Sequence, residues 1–168
     1  MAVEQELVET VEFWRRRIFE GIAVGRELHQ LIWYTDINTW KESQDYSTGV
    51  LDHVLPDRCS ILDVGCGYGA LIECLPKREI TYTGIDVSPD LLEIAGYRYP
   101  DYKHKFIQSD ARSTKFADGQ FDWVVCRSIR KMIQNKSDNW REIETEVKRV
   151  ARNVLVIEYE NPRTWSIL

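Results

Sequence analysis

Three carboxylates and a run of glycines are the residues in this chain whose types and spacing could do chemistry. The stretch Ile61-Leu62-Asp63-Val64-Gly65-Cys66-Gly67-Tyr68-Gly69 puts a short apolar run and one acid ahead of glycines at every second position. Glycine has no Cβ, so such a loop can turn sharply and let a ligand lie against the backbone. The apolar segment Ala70 to Leu75 is predicted to be helical, which would aim unpaired N–H groups and a positive dipole end back at that ligand. Asp86 and Asp110 follow, each at the end of a predicted strand. A carboxylate at a strand end offers two oxygens rich in lone pairs, the acceptor set that a vicinal diol needs. The pattern is that of a cradle for a nucleotide-type cofactor.

Elements must bring these groups together, and hydrophobic periodicity supplies them. The spacing predicts strands over Ser60–Val64, Thr81–Asp86, Lys105–Gln108, Phe121–Cys126 and Val154–Tyr159. Between them, Ser88-Pro89-Asp90 is a helix start with serine as cap and proline at the first helical position, and that helix runs to about Tyr97. Another helix, capped by Ser137 or Asp138, sets Trp140, Ile143, Val147 and Val150 on one face. Ahead of this alternation, residues 3–33 read as one kinked helix or two shorter ones, with Leu7, Val11, Trp14, Ile18 and Ile22 as the apolar stripe and Gly21 and Gly25 as the weak points. A further helix runs from about Lys41 to Leu55 and stops at Pro56.

Strands alternating with helices mean an α/β, Rossmann-like, doubly wound parallel sheet with right-handed crossovers. The expected order is 3-2-1-4-5, with residues 1–55 as an N-terminal helical cap on a cofactor-binding core of residues 56–168, one domain in all. Ligands in such sheets bind at the carboxyl ends of the strands, where strand order reverses. Gly65 to Gly69, Asp86 and Asp110 all fall there.

Bulk properties exclude several classes of function. At 168 residues, with 43% hydrophobic and 29% charged residues, the chain reads as an ordinary globular domain. No apolar run reaches the roughly 20 residues needed to span a bilayer. The first residues lack the pattern of a secretory signal. A net charge of −5 argues against a broad face for nucleic acid. His29, His53 and His104 lie far apart without metal-ligand spacing, so no metal is expected. Cys59, Cys66, Cys74 and Cys126 show no C-x-x-C spacing and are read as small buried hydrophobes in a reducing cytoplasm. Cys66 sits at a predicted helix N-terminus, where a thiol pKa tends to fall; its expected job is to be small. Arg15-Arg16-Arg17 is either a solvated face balanced by Glu12 and Glu20 or a patch for an anion.

A dinucleotide loop has the form G-x-G-x-x-G with no acid inside the first strand. Here Asp63 stands two residues before the first glycine. With ILDVGCGYG, YTGIDVSPDLLEIA, FIQSDAR and FDWVVCRSI in order, the chain resembles the class I S-adenosylmethionine-dependent methyltransferases over residues 57 to 160. The resemblance implies methyl transfer from S-adenosylmethionine, leaving S-adenosylhomocysteine. It also implies that Asp63 orients the loop and the methionine amino group, while the backbone of Gly65, Cys66 and Gly67 passes against the cofactor. Asp86 would take the ribose hydroxyls and Val87 an adenine face. Asp110 would accept from the adenine amino group and Ala111 read the ring edge. Arg127 would approach the methionine portion or the acceptor.

No catalytic residue is identified, and the acceptor is read as an unidentified small molecule. The segment after strand four lacks the N/D-P-P-Y/F signature of enzymes acting on base nitrogens. Topology nominates Tyr34, Trp40, Tyr46 and Arg130 for the acceptor wall. A non-catalytic cofactor-binding or partner subunit is the alternative. The family's usual C-terminal antiparallel hairpin is expected to be absent, since Pro162 discourages further strand. Strand five is then an exposed edge, to be covered by the tail with Trp165 or by a homodimer.

Overall fold

A computed structural model describes residues 2–32, 36–133, 136–159 and 163–168. Six strands form one sheet in the order β3-β2-β1-β4-β5-β6: β1 Arg58–Val64, β2 Glu79–Asp86, β3 Phe106–Gln108, β4 Phe121–Arg127, β5 Ala151–Glu158 and β6 Thr164–Ile167. The first five are parallel, and β6 runs antiparallel along β5, pairing Leu155 with Ile167 and Glu158 with Thr164. The helices are α1 Ala2–Ala23, α2 Leu28–Ile32, α3 Ile37–Val54, α4 Pro89–Arg98, α5 Ile129–Met132 and α6 Lys136–Val150.

The central strands carry buried apolar residues on both faces because both faces of the sheet are covered. Leu62, Val64, Val124, Cys126, Val154 and Val156 pack toward Ile143, Val147 and Val150 of α6. The alternate residues Ile61, Val125, Leu155 and Ile157 pack toward Val50 and Leu51 of α3. A smaller cluster joins Trp14 and Ile18 of α1 to Leu91 of α4.

The N-terminal segment forms two helices, parted at Gly25 with φ +70°. Ile22, expected on the buried stripe, is 57% exposed. Gly21 takes the inward position: a Cβ there would meet Leu31 Cδ2 at 2.3 Å, so α1 and α2 touch through glycine. Asp36 caps α3, accepting from the N–H groups of Asn38 and Thr39 at 2.9 Å. This places the helix start four residues ahead of the expected one. Ser88 caps α4 as expected. Ser137 and Asp138 fall inside the first turn of α6 rather than before it. Arg15 is tied to Glu12 and Asp90, and Arg17 donates to the backbone carbonyls of Leu31 and Gln30.

Two expectations are corrected. Ala70–Cys74 is a 3-10 turn, too short to carry a useful dipole at its N-terminus. The sixth strand exists: β6 begins beyond Pro162, which lies outside the described residues, and closes β5 on its second side. Of the two ways to cover that edge, the tail does so, with Trp165 lying 6.1 Å from the His53 ring. The strand-five edge is therefore not open for a homodimer. No helix among the described residues is long and apolar enough to cross a membrane.

Gly84 of β2 pairs with Asp63 and lies under the glycine loop. A Cβ there would sit 2.6 Å from Tyr82 Oη and 2.9 Å from Cys66 Sγ, both buried groups. Gly84→Ala should lower stability by about 2 kcal/mol through overpacking, measured by urea denaturation; an unchanged midpoint would contradict this packing.

Candidate functional site

The carboxyl ends of β1, β2 and β4 open into a cavity of about 380 Å³ whose lining is mainly apolar. Its base is the glycine loop. Gly65, Gly67 and Gly69 have φ of +72°, +53° and +81°, a conformation that side chains with a Cβ adopt only under strain. A Cβ on Gly65 would also fill space toward Ile129 Cδ1, at 3.2 Å.

The hydrogen bonds of this loop point inward. The N–H groups of Gly65 and Cys66 both donate to Ile85 O at 2.9 Å, and Gly69 N–H donates to Cys66 O at 2.9 Å. Gly67 N–H donates to Asp86 Oδ2 at 2.9 Å, while Ser88 N–H donates to Asp86 Oδ1 at the same distance. Four N–H groups that could have held a phosphate are thus spent within the protein. What the loop offers a ligand is a flat backbone surface. Asp86 keeps one bond per oxygen, so each oxygen retains capacity to accept from a bound hydroxyl. Burial raises its pKa, against the backbone N–H groups of Ser88, Gly67 and Val87.

Asp63 is buried behind the loop and accepts from Tyr82 Oη at 2.9 Å. Burial pushes its carboxyl up to about 7, although the Tyr82 hydroxyl and the Arg127 charge pull the other way. Cys66 shows the opposite of the sequence expectation. Its thiol is pushed well up by burial and by the neighbouring carboxylates of Asp63 and Asp86, and no α-helix follows it to offset them.

Asp63, Gly65, Cys66, Gly67, Asp86, Val87, Asp110, Ala111 and Arg127 all line this one cavity. Asp110 is not an open acceptor. Arg112 Nε lies 3.1 and 3.0 Å from its two oxygens and Nη2 lies 2.8 Å from Oδ2. The same guanidinium reaches Glu6 of α1 at 3.0 Å, and Asn139 of α6 donates to Glu6 as well. Arg127 donates to Ser43 Oγ at 2.9 Å, to Gln44 Oε1 and to Cys74 Sγ.

Of the nominated acceptor wall, Trp40 lines the cavity and donates to Tyr68 Oη at 3.0 Å. Tyr46 and Arg130 do not line it. Tyr46 packs 6.2 Å from the Tyr159 ring, and Arg130 stacks on Trp140 at 4.3 Å. Tyr34 lies outside the described residues. Sequence reasoning missed Glu6, Leu7, Thr10 and Trp14, which bring α1 over the cavity, and also Tyr68, Arg112, Asn139 and Tyr159. Arg112, two residues past Asp110, had a local signal; Glu6, 106 residues away from its partner, had none.

The sequence profile of the methyltransferase domain matches residues 62–154. The methyltransferase-family protein YqeM of Bacillus subtilis (strain 168) is 33% identical over 124 residues, covering 72% of this chain and 46% of that protein. Magnesium-protoporphyrin O-methyltransferase of Rhodobacter capsulatus is 30% identical over 124 residues, covering 70% and 54%. The chain spans about half the length of these curated relatives. Among solved structures, the PH0226 protein of Pyrococcus horikoshii OT3 superposes with a TM-score of 0.66 at 22% identity, over 82% of this chain and 68% of that one. The [4+2]-cyclase SpnF superposes at 0.58 with 28% identity, over 71% and 46%.

The raised pKa of Asp63 fixes a direction for stability against pH. Its native proton is held more tightly than in the unfolded chain, so the stability it contributes is present at low pH and lost as pH rises toward about 7. Asn at this position keeps an acceptor for Tyr82 without the titration. Urea denaturation should show Asp63→Asn gaining on the wild type by about 2 kcal/mol between pH 5 and pH 8. A gap that does not change with pH would contradict the assignment.

Proposed function

Because the chain belongs to the class I S-adenosylmethionine-dependent methyltransferases, we propose that this cavity binds S-adenosylmethionine and directs its methyl group to a small-molecule acceptor. The observation that carries the reading is the Asp86 carboxylate, held by Gly67 and Ser88 N–H groups at the floor of the cavity beside a loop with no outward N–H at Gly65, Cys66, Gly67 or Gly69. That arrangement suits a ribose diol and a linker that carries no phosphate, and it is poorly suited to a pyrophosphate.

The residues present fit such a cofactor. Asp86 would hold the ribose hydroxyls, with Val87, Leu91 and Ala111 giving apolar contact to the base and Asp63 behind the loop near the amino-acid end. When bound, the cofactor supplies a methyl group already activated on a sulfonium. The tasks left to the chain are to align the acceptor and to keep water out, and positioning of that kind is worth roughly 7–11 kcal/mol. Glu6, Leu7, Thr10 and Trp14 of α1 roof the cavity and serve the second task. Thr39, Trp40, Tyr68 and Tyr159 also line the cavity, with Trp40 bonded to Tyr68, and are assigned to the acceptor wall.

A small acceptor agrees with the mainly apolar lining. It agrees also with relatives named for magnesium-protoporphyrin and for 2-methyl-6-phytyl-1,4-hydroquinone. Four buried free thiols support a reducing, cytoplasmic setting. A second reading, cofactor binding in the service of another reaction, is favoured by the likeness to SpnF, which is named a cyclase.

Calorimetric titration tests the first reading. The wild type should bind S-adenosylhomocysteine, and Asp86→Ala should weaken binding at least about tenfold, since hydrogen bonds to a charged acceptor contribute roughly 1.5–3 kcal/mol each. Absence of binding to the wild type would overturn the proposal. Binding without methyl transfer to any of a panel of small acceptors would favour the second reading.

A further inference from the structure

Two carboxylates line the cavity beyond the end of β3, and one guanidinium binds both. Asp110 follows β3, Glu6 belongs to α1, and Arg112 pairs with each. The two acids carry different loads. Asp110 Oδ1 accepts from the Arg112 backbone N–H at 2.9 Å and from Nε at 3.1 Å. Its Oδ2 accepts from the same Nε at 3.0 Å and from Nη2 at 2.8 Å. A carboxylate has about four lone-pair sites, and Arg112 engages those of Asp110.

Glu6 carries a lighter load. Its Oε2 accepts from Arg112 Nη1 at 3.0 Å and its Oε1 from Asn139, one donor for each oxygen among the described residues. Each oxygen therefore keeps a lone pair to offer. The Glu6 side chain is 28% exposed, against 11% for Arg112, and it lines the cavity. Freeing Asp110 for a ligand would break a bidentate, charge-assisted pair. Glu6 can accept a further hydrogen bond with every present partner in place.

We infer that Glu6, on the helix roofing the cavity, is the carboxylate that reads the exocyclic amino group of a bound purine, in place of Asp110. This rests on the S-adenosylmethionine reading, with the base lying along Val87, Leu91 and Ala111. It departs from what the family resemblance implies for Asp110, and one residue is the cause. Arg112, two positions on, fills the acceptor sites of Asp110 and holds a second carboxylate beside them. Base specificity then comes from α1, and the contact that recognises the amino group also holds the roof over the cofactor.

Calorimetry with two probes tests this: S-adenosylhomocysteine and its 6-deamino analogue, in which purine replaces adenine and only the amino group is lost. Wild type should favour S-adenosylhomocysteine at least about tenfold, as expected for one hydrogen bond to a charged acceptor. Glu6→Ala should bring the two affinities within about twofold of each other. The ratio is the readout, because a roof that is merely loosened weakens both probes alike. Adding Arg112→Ala to Glu6→Ala should bring the preference back, since the lone pairs of Asp110 are then free. A preference kept by Glu6→Ala, or missing from the wild type, overturns the inference. So does a double variant that regains none, since Asp110 is then silent for a reason other than Arg112. Failure of the wild type to bind either probe removes the cofactor reading itself, and this inference with it.

Discussion

The Asp86 carboxylate is the constraint on which the rest of the site depends. It ends β2, accepts the Gly67 N–H from the loop after β1, and accepts the Ser88 N–H at the entrance to α4. One buried carboxylate therefore joins the loops that follow β1 and β2, next to the point where strand order reverses between β1 and β4. A buried carboxylate without donors would be costly, and the two N–H groups reduce that cost while fixing where its free lone pairs point. The left-handed glycines follow from the same demand, because Gly67 must bring its N–H under the loop.

Charge in the cavity is divided by depth and by partner. Asp63 lies deepest, held by Tyr82, and is easily neutralised. Asp110 serves Arg112, and Arg112 in turn holds Glu6, so α1 is tied across the cavity by an ion pair between residues far apart in sequence. Arg112 is only 11% exposed as a side chain, so this tie is less screened by solvent than the exposed Arg15–Glu12 pair on α1. Arg127 stands apart, with its charge facing neutral groups.

The sheet edge follows the same economy of exposed groups. A parallel β5 left open would present unpaired N–H and C=O groups to any other strand. The antiparallel β6 covers it with four residues, all exposed on their own account, and Leu168 N–H adds a bond to Val154 O. Glu42 of α3 accepts from both Tyr159 and Arg163, which fastens the end of β5 and the start of β6 to the helix forming one wall of the cavity.

Local pattern was enough for the first five strands, the Ser88 cap, and the placing of Asp63, Asp86 and the glycines at the carboxyl ends, because a buried parallel strand needs a continuous apolar run and a sharp turn needs glycine. It did not reveal β6, whose short exposed sequence carries no burial signal, nor the 3-10 form of Ala70–Cys74, nor the outward turn of Ile22, which depends on Gly21 meeting α2. It placed Tyr46 and Arg130 at the cavity, whereas packing against Tyr159 and Trp140 takes them elsewhere. The sequence by itself determined the sheet, its switch point and the carboxylates at its tips, since these follow from short-range periodicity and backbone conformation. Only the tertiary structure decided that Glu6 reaches Arg112 across the cavity and that Arg127 is braced by α3, since long-range contacts between side chains depend on how helices lie over the sheet.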